Sequence, residues 1–307
     1  MLDIAPTDPP VRLLRFWQWV PAIVRAAVLA ELICDLGGLP PYLLMLGNLK
    51  LWPAIPIFLP LSALWLWLFW QYLNGRGWPR ITSAARRDAL RARRLGRDVW
   101  RWSLVAGGLG MFSAVGVAFV TARLANLPRD AFKLSLDVTA FRWWTQLSIL
   151  LLISVSAGVV EESAFRGYAL SIIERRHGWV VAILLTGIMF FLTHLGHAYV
   201  TLAFLPFFLA VSALHGLLVY FTKSILPSVV LHATTDFIVI PIQYGLVGNL
   251  SVAPVWRTGV DKAFVFYITS VVLFGAAAIP AFRQLAHHCR LKFIGASANK
   301  RPREGQQ

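Results

Sequence analysis

The chain has 307 residues, of which 58% are apolar and 14% charged, with a mean hydropathy of +0.65. A water-soluble globule of this length could not bury so much apolar surface, and a disordered chain would be polar and charged. Two distant cysteines, Cys34 and Cys289, exclude a disulfide scaffold. The net charge of +15 comes with no RNA- or DNA-binding motif, so no nucleic-acid partner is expected.

A bilayer core of about 30 Å needs roughly 20 apolar residues per helix. The first candidate, Ala27 to Leu46, carries Glu31, Asp35 and a Gly-Gly-Leu-Pro-Pro break, and reads as bent or interfacial. With Arg25 before it and no small-residue cleavage site after it, it does not read as a signal peptide. Leu51 to Tyr72 is uncharged and rich in Trp, Leu and Phe. A loop from Arg76 to Arg101 follows, with nine arginines. Trp102 to Ala122 and Trp143 to Val160 are the next spans. Arg175 to Gly178 reads as a turn. The 46 residues between Arg176 and Lys223 contain no Asp, Glu, Lys or Arg and hold two helices, with Pro206 near the start of the second. Ile225 to Val247 and Ala263 to Phe282 close the set. Trp52, Trp102 and Trp143 read as interfacial anchors.

The expectation is an all-α polytopic membrane bundle of about eight transmembrane helices. Residues 1–142 supply N-terminal helices and the Arg-rich loop, 143–241 a core, and 242–307 a last helix and a basic tail. Eight spans put both termini on one side. That side collects 20 Lys/Arg against seven on the other, with Arg25 and Arg166 unassigned. The positive-inside rule then places both termini in the cytoplasm, and the Arg-rich, Lys-poor composition suggests a bacterial inner membrane. The arginine loop reads as an orientation signal and a contact for anionic membrane lipid.

Ionisable residues inside a span cost several kcal/mol unless paired or hydrated, so each is a site hypothesis. Here they form three groups: Glu161-Glu162-Ser-Ala-Phe-Arg166, Phe190-Phe-Leu-Thr-His194, and His232-Ala-Thr-Thr-Asp236. At i,i+4 spacing Glu162 can pair with Arg166, Phe190 lies beneath His194, and His232 shares a face with Asp236. Glu161 points about 100° from Glu162 and is left for another task. Counting from the turn at 175–178, Glu161 lies roughly 21 Å deep and His194 roughly 24 Å; from Lys223, Asp236 lies roughly 20 Å deep. Three helices thus deliver the groups to one level. His197 and His215 read as packing or pore-lining residues, and His287 and His288 as solvent-facing.

Such a set suits a hydrolytic site in which a glutamate activates water and a histidine with an Asp or Asn steadies the oxyanion. It equally suits a divalent metal held by imidazole and carboxylate. Spacing does not choose between them. No His-Glu-x-x-His, no Gly-x-Ser within a span and no Gly-x-Gly-Asp is present.

With Glu161-Glu162-x-x-x-Arg166, Phe190-x-x-x-His194 and His232-x-x-x-Asp236 in order within 76 residues, the chain resembles the CAAX protease and bacteriocin-processing (CPBP, or Abi) intramembrane proteases over about Trp143 to Pro241. The resemblance implies an intramembrane endopeptidase that cuts near the C-terminus of a membrane-associated or prenylated peptide or protein tail. It implies that Glu161 activates the water, that His194 and Asp236 hold the carbonyl oxygen, and that Glu162, Arg166 and His232 support them, with Phe190 beneath His194. Members are described both as metalloproteases and as metal-free glutamate enzymes. The cofactor expectation is therefore a divalent metal such as zinc, with Glu161, His194 and His232 as candidate ligands, or none. Asp236, where Asn also occurs in the family, would repel an oxyanion if ionised and so is protonated or acts on His232 or a metal. A proton-coupled transporter and a non-catalytic bacteriocin-immunity protein are the alternatives.

Overall fold

The computed structural model describes residues 17, 19–125, 127, 136–197, 199–243 and 253–298, leaving aside the side chains of 243 and 292–298. The described residues form helices and connections and contain no strand. The helices are α1 (Ala22–Leu51), α2 (Phe58–Leu73), α3 (Ser83–Leu90), α4 (Arg97–Leu124), α5 (Trp143–Glu161), α6 (Leu170–Thr193), α7 (Leu205–Thr222), α8 (Leu226–Gln243), α9 (Val255–Thr258) and α10 (Lys262–Ala298). A π-helical segment, Glu162–Ala169, joins α5 to α6 without a break. This is an all-α membrane bundle and an integral membrane protein.

The span count differs from eight. Four stretches among the described residues are long and apolar enough to cross a bilayer: Arg97–Leu124, Trp143–Thr193, Leu202–Thr222 and Lys262–Leu291. The second stretch holds two of the expected helices, which meet at Gly178 (φ 80°, ψ 169°), a conformation open to glycine without steric cost. Phe58–Leu73 and Leu226–Ile242 are apolar but shorter. At 16 residues α2 rises only about 24 Å, less than the hydrocarbon core. The helix expected to break at Gly-Gly-Leu-Pro-Pro instead runs unbroken for 30 residues through Pro40 and Pro41. Pro40 has no N–H for the carbonyl of Leu36, and Trp65 Nε1 of α2 donates to that oxygen at 3.2 Å. The neighbouring helix thus satisfies the acceptor that proline leaves open. Of the charges counted toward topology, Arg12, Arg15, Arg129, Lys133 and those from 299 onward lie outside the described residues, as do positions 244–247 of the expected Ile225–Val247 helix.

Packing follows small residues. α5 lies against α8 and α6 against α7, while α4 pairs with α10 and touches α7 and α8. α1 covers the π segment, α5 and α6. A Cβ on Gly158 of α5 would lie 2.8 Å from the Val229 carbonyl oxygen and 2.9 Å from Ala233 Cβ, so glycine is what lets α8 come this close.

The arginine-rich stretch is more than a loop. It contains α3, and two of its arginines are internal. Arg86 donates to the carbonyls of Gly77 and Pro79 at 3.1 and 3.2 Å and stacks over Tyr72. Arg91 pairs with Glu174 at 2.5 Å. Ser171 donates to Ala89 O, Ser224 to Arg93 O, and Ile225 N to Arg91 O. Residues 89–93 therefore tie α6 to the start of α8 at one end of the bundle. At the other end Arg123, fully buried, donates to both carboxylate oxygens of Asp261 (3.1 and 2.9 Å) and to Thr258 (2.8 Å). His287 is exposed, but His288 stacks on Trp102 at 6.3 Å and is half-buried, which corrects the solvent-facing reading for that residue.

Candidate active site

Glu162 is the hub of a buried polar cluster in the middle of this apolar bundle. It opens the π segment, whose eight residues are all buried. Segments of this kind widen the helix by one residue per turn and concentrate at functional sites. The i,i+4 partner expected from spacing is in place: Arg166 Nη1 lies 3.2 Å from Glu162 Oε1, with both side chains fully buried. His232 Nδ1 stands 2.8 Å from the same oxygen. A carboxylate there can only accept, so Nδ1 carries the hydrogen and donates it. The other oxygen, Oε2, faces His215 Nδ1 at 3.7 Å.

Fixing Nδ1 of His232 turns Nε2 the other way. It is 3.7 Å from Glu161 Oε2 and 3.5 Å from Asp236 Oδ2. These two carboxylates are about a quarter exposed, in contrast to the sealed Glu162. Adjacent glutamates thus stand in different surroundings, one closed in by a guanidinium and two imidazoles and one partly exposed beside a histidine.

The second group packs from α6. The Phe190 ring lies 4.5 Å from the Arg166 guanidinium carbon, 4.5 Å from the His194 ring and 6.3 Å from the His232 ring. It covers the cation with its negative face and spaces the two histidines. α6 ends at Thr193, where His194 N bonds to Phe191 O in a tightened last turn. Phe190 O then accepts His194 Nδ1–H at 2.7 Å alongside the Thr193 hydroxyl at 2.9 Å. That bond leaves Nε2 as the position available to a substrate, a water or an ion.

Taken together, three carboxylates (Glu161, Glu162, Asp236) face one guanidinium, an excess of negative charge that protons or a cation must offset at membrane depth. The donor atoms that come together as a possible metal group are those of Glu162, His215 and His232, all within 4.8 Å of one another. Two imidazoles and a carboxylate are a zinc-type donor set. Glu162 Oε2 and both ring nitrogens of His215 have no hydrogen-bond partner among the described residues, which fits a cation in kind and number. This trio differs from the expected Glu161, His194 and His232: only His232 is shared. Glu161 faces His232 Nε2, and His194 packs on Phe190, Phe208 and His197.

His215 is the residue that sequence reasoning set aside. Its one signal was an imidazole in a 46-residue stretch free of Asp, Glu, Lys and Arg. The i,i+4 rule could not connect it to Glu162, because that contact runs between helices. His197, three residues past His194, is exposed in the connection after α6.

Residues 143–238 match a family model described as Rce1-like, type II CAAX prenyl endopeptidase Rce1-like. No curated protein and no solved structure matches the chain. The matched stretch covers about a third of the sequence and contains Glu161, Glu162, Arg166, Phe190, His194, His215, His232 and Asp236. In sequence, residues 143–238 are thus similar to Rce1-like domains of the CAAX protease (CPBP) type.

Proposed function

We propose that this protein is an intramembrane endopeptidase that hydrolyses a peptide bond near the C-terminus of a membrane-associated, prenylated tail. The observation that carries this is the division between the two glutamates. Glu162 is sealed beside Arg166 and His232, while the Glu161 side chain is about a quarter exposed and turns a buried Oε2, without a hydrogen-bond partner among the described residues, toward His232 Nε2. A carboxylate in an apolar wall with one face open is placed to take a proton from water.

In this reading Glu161 is the general base, and His194, with Nδ1 tied to Phe190 O, accepts from the same water through Nε2. His232 Nε2, held beside Asp236, donates to the developing oxyanion. That placement gives Asp236 the task of keeping a proton on His232, in place of direct contact with the carbonyl oxygen. Arg166 and Phe190 keep Glu162 and the two histidines in position. In the alternative, metal-dependent arrangement, with one His232 ring nitrogen free of its hydrogen, Glu162, His215 and His232 would hold a divalent ion such as zinc, which would supply Lewis-acid polarisation of a carbonyl in place of the His232 hydrogen bond.

The basic ends support an orientation with both termini in the cytoplasm of a bacterial inner membrane. Arg93, Arg94, Arg97, Arg175 and Arg176 are exposed near the junction that 89–93 makes with α6 and α8. The positive-inside rule assigns that end to the cytoplasm.

The test is cleavage of a quenched, prenylated CAAX-type peptide by purified protein, comparing wild type with Glu161→Ala, each with and without chelator. Cleavage lost in Glu161→Ala, with thermal unfolding unchanged, supports the reading. No cleavage by wild type overturns it. Loss with chelator assigns a metal.

A further inference from the structure

His215 is fully buried on α7, yet neither ring nitrogen makes a hydrogen bond to a described residue. An imidazole in that state costs more than leucine at the same place unless it acts on something polar. The acidic atom within reach is Glu162 Oε2, 3.7 Å from Nδ1. That oxygen has no hydrogen-bond donor either, whereas Oε1 accepts from His232 Nδ1 and has the Arg166 guanidinium 3.2 Å away as an ion pair. The His215 and His232 rings lie 5.7 Å apart, each facing a different oxygen of the carboxylate.

The backbone around His215 is pinned. Its carbonyl accepts Ser228 Oγ of α8 at 3.4 Å. The next residue, Gly216, has Ile183 of α6 so close that an added Cβ would lie 2.5 Å from it. The imidazole therefore stays opposite Oε2. A carboxylate gripped on one oxygen can pivot about that oxygen, and a second group on the other oxygen stops the pivot.

We propose that His215 is a positioning residue of the hydrolytic site. It holds Glu162 by Oε2, so that Oε1 keeps His232 in the orientation that turns Nε2 toward Glu161 and Asp236. This rests on the endopeptidase reading for its effect on turnover, but not for its effect on His232. His215 stands outside the three motifs, and its contact is to Glu162, not to substrate.

The experiment uses the full chain in detergent, as wild type, His215→Asn, His215→Leu and His215→Met. Asn keeps a side-chain N–H in place of the imidazole; Leu and Met keep apolar bulk with no donor. With the prenylated peptide, Leu and Met lower kcat on the order of 10- to 100-fold, the scale of a sub-ångström to 1 Å misplacement. KM is unchanged and Asn restores most of the rate. Independently of turnover, protein labelled with ¹⁵N-histidine is observed by NMR without substrate. The His232 Nδ1–H signal, assigned by its absence from His232→Gln, is present in wild type and His215→Asn. It is lost or shifted in the donor-less variants.

Wild-type kcat in both donor-less variants, or a His232 signal that does not respond to them, overturns the proposal. So does stoichiometric zinc in wild type that His215→Leu lacks, which makes His215 a ligand. If wild type cleaves nothing while the His232 signal follows the donor at 215, the endopeptidase reading falls and the positioning contact stands.

Discussion

Gly158→Ala tests whether the site depends on how closely α5 and α8 approach. The added methyl would lie 2.8 Å from Val229 O, 2.9 Å from Ala233 Cβ and 3.0 Å from Ala233 N. Two of these are backbone atoms inside α8, which cannot rotate aside as a long side chain can. Ordinary contact begins at 3.4 Å, so α8 must retreat by about 0.6 Å, the difference between 3.4 and 2.8 Å. His232 is three residues past Val229 and next to Ala233. A rigid retreat would stretch its 2.8 Å bond to Glu162 toward 3.4 Å, the limit of a hydrogen bond. Overpacking of this kind costs about 1–3 kcal/mol of stability, which leaves a folded protein. A displacement approaching 1 Å at the reacting groups costs up to about 100-fold in rate. The assay is kcat and KM on the quenched peptide beside thermal unfolding in detergent. Gly108→Ala on α4 is the control, since a Cβ there meets nothing within 4 Å. Gly158→Ala should lose at least about tenfold in kcat, while Gly108→Ala keeps wild-type activity. Wild-type kcat in a folded Gly158→Ala protein would refute the claim that this helix contact sets the site.

Other outcomes follow from the same geometry. Glu162→Gln leaves the buried Arg166 without its closest counter-charge and should destabilise by about 3 kcal/mol or more, read by thermal unfolding. Arg86→Lys keeps the charge but not the fork, which reaches Tyr72 O through Nη1 and Gly77 O and Pro79 O through Nη2. It should speed protease nicking of 74–82 without changing KM. Hydrogen bonds from Arg123 hold the Asp261 carboxyl below its ordinary range. A lowered folded value means that this stabilisation is complete above the unfolded value near 4 and is lost as pH falls through the folded one. The Tm advantage of wild type over Asp261→Asn should therefore be constant from about pH 8 to 5 and close below about pH 4; a constant gap at all pH values would contradict it.

Much of the bundle was legible because apolar length and charge spacing are local properties. The turn at 175–178, the helix beginning near Pro206 and the Glu162–Arg166 pair all follow from residues within four positions of one another. Contacts between helices left no such trace. Trp65 serving the carbonyl that Pro40 abandons joins residues 29 apart, so the expected break at Pro40 became a continuous helix. Arg86 and Arg91 looked like two of nine equivalent surface cations until Tyr72, Gly77 and Glu174 were placed around them. The same limit separated His215 from Glu162. The span count came out high because charge-free length was taken as crossing length, whereas α2 is too short for the core.

The π segment fixes the chain length across the site. An i→i+5 turn absorbs a residue that an α-helix has no room for, and so sets the rotational phase of α5 relative to α6. Deleting one residue among 163–165 would let the backbone relax to an ordinary helix. It would also turn Glu161 and Glu162 by about 100° against Arg166 and everything after it. One carboxylate would leave its cation and the other its histidine. Conservative exchanges of side chain within Ser163–Phe165 are thus a milder change than any change in their number, and an insertion or deletion there is the lesion this fold is least able to absorb.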